Sequence, residues 1–109
     1  MEDCVFCKII KGEIPSTKVY EDEKVIAFND INPIAPIHIL VVPKQHIESV
    51  MELNDDDLLV HIHKIIKQVA TEKGIAEKGF RVLTNIGEDG GQAVKHLHFH
   101  ILGGTKLPT

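Results

Sequence analysis

No apolar stretch in this chain approaches the ~20 residues needed to cross a bilayer. The opening Met1-Glu2-Asp3 also lacks the basic-then-apolar order of a secretory signal. Membrane attachment and export are therefore not expected, and a cytoplasmic location is. Only two cysteines occur, in Cys4-Val5-Phe6-Cys7. They are too few and too close for a disulfide framework and read as reduced thiols. Positive charge is scarce as well: 12 Lys and Arg against 16 Asp and Glu give a net charge of -4. That balance argues against a surface that coats nucleic acid. Linkers, repeats and low-complexity segments are missing too, so the 109 residues are expected to form one domain, 1–109. The last absence is the most chemical: no Asp or Glu follows Asp89.

What stands in that acid-free stretch is His96-Leu97-His98-Phe99-His100-Ile101-Leu102, three of the chain's seven histidines at every second position. Successive side chains of a β-strand point to opposite faces, with ~3.3 Å rise per residue. His96, His98 and His100 are thus expected on one face, ~7 Å apart, with Leu97, Phe99 and Ile101 anchored in a core on the other.

Turn signals divide the rest into short elements. Cys4 to Lys11 is a short mixed segment closed by Gly12 and Pro15. Lys18–Glu21 and Lys24–Asn29 read as two strands across a tight Asp22-Glu23 connection. Asp30 to Pro36 holds two prolines and is no central strand, and His38–Val42 forms a third strand stopped by Pro43. From Leu58 to Lys73, apolar residues at Leu58, Ile62, Ile65, Ile66 and Val69 make one helical stripe. Asn54 is its expected N-cap, Asp55–Asp57 place negative charge at the start of the dipole, and Gly74 ends it. Two more strands, Phe80–Ile86 and Lys95–Gly103, flank Gly87-Glu88-Asp89-Gly90-Gly91-Gln92. The expected class is α+β: a mostly antiparallel five-stranded sheet with one long helix and a short N-terminal helix.

Two chemistries suit three histidines on one strand better than three unrelated core histidines do. His-x-His can offer two nitrogens to zinc or iron, although a hydrolytic metal site needs a carboxylate from another segment. Alternatively, a neutral imidazole attacks phosphorus and forms a labile phosphoramidate that water resolves. Its neighbours would bind non-bridging oxygens and protonate the leaving group. The lack of nearby carboxylates favours an anionic substrate, and the glycine loop before the strand can bring backbone N–H groups to a phosphate. Taken alone, Asp30 beside two prolines is equally a turn residue. His61 and His63, two apart on the helix, read as solvated.

The seven residues from His96 to Leu102 resemble the His-φ-His-φ-His-φ-φ signature of the histidine triad (HIT) nucleotide hydrolases and transferases. Further blocks are similar to the Hint branch of purine nucleoside phosphoramidases: Phe6-Cys7-Lys8-Ile9-Ile10, Glu13-Ile14-Pro15, Ala27-Phe28-Asn29-Asp30-Ile31, Ala35-Pro36-Ile37-His38 and Gly90-Gly91-Gln92. Together they span residues 4 to 104 in order. The resemblance implies a hydrolase that cleaves purine nucleoside phosphoramidates, conjugates of AMP with an amine. His98 would be the nucleophile that becomes nucleotidylated, His100 would bind the α-phosphate, and His38 would support His98 from behind, with His96 completing the triad. Asp30 would hold the ribose between Phe28 and Ile31, alongside Asn29, while Val5 and Phe6 help enclose the purine. Asn85, Gly91, Gln92 and Ala93 would contact phosphate or sugar from the loop edges.

The same resemblance implies a homodimer paired through the helix and the Phe80–Ile86 strand, and a structural zinc held by Cys4, Cys7, His46 and His96, with no cofactor required for the chemistry. For the thiols, unmetallated cysteines and a redox pair remain the alternatives. For the whole chain the alternatives are a non-catalytic nucleotide-binding scaffold and a dinucleoside polyphosphate hydrolase. Two departures bear on specificity. Ala93 stands where several Hint proteins carry Ser, and the tail Thr105-Lys106-Leu107-Pro108-Thr109 has no Trp.

Overall fold

Val25-Ile26-Ala27-Phe28 and Ile39-Leu40-Val41-Val42 are apolar on both faces, as strands covered on two sides must be. They form the middle of the sheet in the computed structural model, which describes residues 3–109. The strands are β1 (Lys18–Glu21), β2 (Val25–Asn29), β3 (Ile37–Pro43), β4 (Arg81–Leu83) and β5 (Phe99–Gly103). They lie in the order β1-β2-β3-β5-β4, and every pairing is antiparallel. The expected α+β class with a five-stranded antiparallel sheet is the one observed.

The alternation of the central strands sorts their side chains into two cores. On one face Val25, Ala27, Ile39, Val41 and Ile101 pack beneath α2 (Asp56–Glu72), which buries Leu58, Ile62, Ile65, Ile66 and Val69. The helix stripe read from spacing is therefore the buried one, and each such side chain contributes ~1.5–3 kcal/mol of burial. On the opposite face Ile26, Phe28, Leu40 and Val42 are covered by Phe6 and Ile9 of α1 (Val5–Ile10). Among the described residues no helix is long and apolar enough to cross a membrane.

Four local expectations need correction. Asp55, not Asn54, caps α2: its carboxylate accepts from the Leu58 amide at 3.1 Å, while Asn54 donates to the Glu52 carbonyl. Both residues are cap-competent, and the charged one also gains from the helix dipole. The Phe80–Ile86 strand is only three residues long, and just past its end the Thr84 hydroxyl donates to the His98 carbonyl at 2.8 Å. The Lys95–Gly103 strand begins only at Phe99. Continued past Val41–Phe99, its register would set Leu97 against Pro43, which has no N–H for the Leu97 carbonyl and whose own carbonyl accepts from His96 Nε2 at 2.8 Å. The Leu97 amide bonds the Ile47 carbonyl instead, at 2.6 Å.

The fourth correction is His61, which is half-buried rather than solvated. Its Nε2 lies 2.6 Å from Asp22 Oδ2, which also accepts from the Tyr20 hydroxyl at 2.7 Å. Asp22 Oδ1 accepts from the Lys24 and Val25 amides at 2.7 and 2.8 Å, shaping the turn between β1 and β2. Partial burial would raise the Asp22 pKa, but these hydrogen bonds outweigh it and hold the carboxyl far below its ordinary range. His63 is exposed, as expected.

Candidate active site and metal centre

The side-chain alternation from His96 to Ile101 survives although the backbone enters the ladder only at Phe99. Leu97 and Ile101 are buried in the core beneath α2, and Phe99 packs against it. His96 and His98 are buried toward the α1 face, and His100, on β5, pairs with Leu40 of β3 on that same face. Phe6 meets both irregular histidines edge-on, its ring centroid 6.0 Å from His96 and 4.9 Å from His98. His38, on β3, completes the group.

Fixed backbone partners settle which nitrogen of each ring carries the proton. The His96 carbonyl can only accept, so His98 Nδ1, 2.7 Å away, donates, and Nε2 of the neutral ring is a bare lone pair. The Ile34 amide can only donate, so His38 Nδ1 accepts it at 3.2 Å and Nε2 holds the proton. That Nε2–H points to His100 Nδ1 at 2.9 Å, with Asp30 Oδ2 at 3.3 Å. His100 Nδ1 is then an acceptor, and its Nε2–H is left buried with no partner. The result is a bare nucleophilic nitrogen on His98 beside an unused donor on His100, with ring centroids 5.0 Å apart. The ligand atoms of Asp30, His38 and His100 are close enough to hold a cation. The proton that the Ile34 amide keeps on His38 Nε2 makes that group a hydrogen-bonded relay.

Burial keeps the rings neutral. It lowers the pKa of His38 against a smaller opposing pull from Asp30, and that of His98 against smaller opposing pulls from the His96 carbonyl and then Asp30. His100 is lowered to about 4, by burial first and then by His98 and His38. An imidazole in the unfolded chain takes up its proton near pH 6.5. Between that value and about 4 the unfolded chain therefore binds more protons than the folded one at His100. Stability then rises with pH in this window and is lost on acidification, by up to about 1.4 kcal/mol per pH unit for such a group. Urea midpoints measured between about pH 7 and pH 5 are expected to fall less steeply in His100→Gln than in the unaltered protein. Equal slopes would remove His100 as a source of acid sensitivity.

The residues expected around a nucleotide are distributed unevenly. Phe6 and Phe28 are buried and touch edge-on at 5.7 Å. Asp30 is half-buried next to His38, its other oxygen accepting the Asn32 amide at 2.8 Å. Val5 is 37% exposed and Ile31 90% exposed, and Asn29 also faces solvent. Asn85, Gly91 and Ala93 lie on the segment that leads into His96. In the glycine loop the amides of Gly91 and Gln92 bond the carbonyls of Glu88 and Gly87, each at 3.0 Å. Those two N–H groups are used inside the turn. Gly90 is packed against the Ile86 carbonyl with no room for a Cβ, so glycine is required there by contact. Sequence reading missed Ile34, Pro43 and Thr84: two act through backbone atoms, and a lone threonine beyond a strand gives no signal.

Cys4, Cys7, His46 and His96 converge, their ligand atoms all within 4.8 Å of one another. His96 Nδ1 lies 3.3 Å from Cys4 Sγ and 3.5 Å from Cys7 Sγ, and Cys7 Sγ lies 3.3 Å from His46 Nδ1. A tetrahedral zinc with two sulfur and two nitrogen ligands spaces its donors by about 3.5 Å. The His96 Nε2–H donates to the Pro43 carbonyl at 2.8 Å, which leaves Nδ1 free to face the thiols. Donor set and tautomer both fit zinc. A cavity of about 540 Å³, lined by Asp3, Cys4, Val5, His46, Glu48 and Ala93–Lys95, opens on the Cys4 and His46 side.

The chain is similar to known proteins over nearly its whole length. Residues 3–107 match the family described as scavenger mRNA decapping enzyme C-term binding. An uncharacterized HIT-like protein of Synechococcus elongatus is 47% identical over 108 residues, covering 97% of this chain and 94% of the relative. One from Helicobacter pylori is 48% identical over 102 residues, covering 94% and 97%. Among solved structures, a histidine triad protein from Clostridium difficile superposes with a TM-score of 0.95 at 60% identity, covering 100% of this chain and 96% of that one. A HIT family hydrolase from Clostridium thermocellum gives 0.95 at 55% identity, with the same coverage. On these matches the chain belongs to the histidine triad family.

Proposed function

We propose that the protein is a nucleotide hydrolase of the Hint branch, cleaving purine nucleoside phosphoramidates through a nucleotidyl group on His98. The observation that carries this reading is the tautomer pattern: a bare His98 Nε2 beside the buried, unpartnered Nε2–H of His100. In the first step His98 Nε2 attacks phosphorus and the P–N bond to the amine breaks. The new positive charge on the ring is stabilised through Nδ1–H by the His96 carbonyl. His100 donates to a non-bridging oxygen, and His38 holds His100 in the donor tautomer. The amine departs with a proton from water, since Ala93 offers no hydroxyl. In the second step water breaks the P–N bond to His98, giving AMP and the neutral imidazole.

Asp30 holds the ribose in this reading, with Val5, Phe6, Phe28, Asn29 and Ile31 around the purine and Asn85, Gly91 and Ala93 on the phosphate side. A bound zinc would tie the N-terminal segment to His46 and His96 and play no part in bond breaking. The related Clostridium thermocellum structure is described as a hydrolase, which supports the reaction class. Leu59 and Val60 on α2 and Val82 on the edge strand β4 are exposed apolar residues on the two elements expected to pair, and a homodimer belongs to the same proposal.

The decapping description of the matching family favours a second reading, attack on the P–O–P link of a dinucleoside polyphosphate. A substrate panel separates the two. AMP-amines are expected to turn over at least ~100-fold faster, by kcat/KM, than dinucleoside polyphosphates. The reverse order would establish the second reading, and binding without turnover of either would leave a nucleotide-binding scaffold.

A further inference from the structure

Gln92 closes the glycine loop, and its side-chain amide is engaged on three sides. Its Oε1 accepts from the Gly87 amide at 2.9 Å. Its Nε2 donates to the Glu48 carbonyl at 2.6 Å and to the Val94 carbonyl at 3.0 Å. Both N–H groups are therefore used within the protein. Glu48 lies two residues beyond His46, one of the four residues that converge with the thiols. Between them, Ile47 accepts from the Leu97 amide at 2.6 Å. The chain after His46 is thus fastened at Glu48 to the loop and at Ile47 to the segment between His96 and His98. A glycine-containing turn has high conformational entropy, so cross-links of this kind decide where it sits.

We propose that Gln92 is a positioning residue whose amide clips the glycine loop and the Val94–His98 segment to the chain after His46, so that the Cys/His centre and the triad are set as one unit. The consequence for turnover rests on the nucleophile assigned to His98 above; the clip itself does not. A displacement of about 1 Å at a nucleophile is enough to cost ~100-fold in rate. A side chain acting this way changes kcat, whereas one that touches sugar or phosphate in the bound state changes KM.

Hydrogen exchange of the peptide spanning residues 87–98, read by mass spectrometry without nucleotide, tests the clip directly. Gln92→Ala is expected to exchange roughly tenfold faster there, with the α2 peptides unchanged. Gln92→Glu keeps the shape and loses both donors, and should behave alike. The peptide that follows His46 should exchange faster in both variants as well, because the clip also holds Glu48. With an AMP-amine, kcat should fall about 10- to 100-fold while KM moves less than about threefold. Unchanged exchange of residues 87–98 in both variants would overturn the clip, as would an unchanged peptide after His46. A KM rise with kcat kept would make Gln92 a direct substrate contact. Should no nucleotide amide turn over in the unaltered protein, the functional reading fails, and the exchange data still decide the clip.

Discussion

Replacing His98 with Ala is expected to lower turnover of an AMP-amine by more than about a thousandfold while AMP still binds. The size follows from what the ring supplies. Its Nε2 is unprotonated because Nδ1 is committed to the His96 carbonyl at 2.7 Å, and burial disfavours the imidazolium that would block attack. The flanking Leu97 in the core and Phe6 against the ring hold the nitrogen in place before substrate arrives. Water in the vacated space has neither advantage. Binding persists because His100, Asp30 and the apolar residues near Phe28 remain. His98→Gly should regain part of the rate with added imidazole, which can enter the gap as a free nucleophile. The covalent intermediate should appear as a mass increase of one AMP on the peptide holding His98 when the second step is slowed. Near-normal turnover by His98→Ala would reject the nucleophile assignment.

The face on which these histidines lie was legible because side-chain period is a local property. It persists through His96–His98 although those residues leave the ladder. The break itself was not legible from that strand, since its cause sits on another: Pro43, read as the end of β3, has no N–H for the facing Leu97 carbonyl, and its own carbonyl is taken by the His96 ring. The α2 stripe was equally local, and its cap shifted by one residue because Asn54 and Asp55 are both competent. By contrast, the His61–Asp22 contact joins residues 39 apart, and no periodicity encodes such a meeting. The tautomers were hidden for the same reason. They are set by the Ile34 amide and by the Pro43 and His96 carbonyls, backbone atoms that a residue-type motif does not specify.

Loss of the Cys/His centre should be the most damaging change to stability. Cys7→Ser is expected to destabilise the protein by several kcal/mol, lowering Tm by more than about 10 °C. Cys7 is the informative position because its sulfur lies against both His46 and His96, at 3.3 and 3.5 Å, from within the core. Burial also raises the pKa of its thiol, so without a cation this cluster places two sulfurs and two imidazoles together with little charge to bind them. A divalent zinc reverses that balance: it favours the thiolates and joins α1 to His46 and His96 by bonds far stronger than the contacts seen among the side chains. Protein purified from zinc-replete cells is then expected to hold close to one zinc per chain, and Cys7→Ser much less. A chelator should lower Tm in the unaltered protein and leave Cys7→Ser nearly unmoved. Turnover at a temperature where the stripped protein is still folded should fall no further than the loosened triad segment requires. Failure to find zinc, or a Cys7→Ser protein melting with the unaltered one, would show that the four residues pack as ordinary thiols and imidazoles.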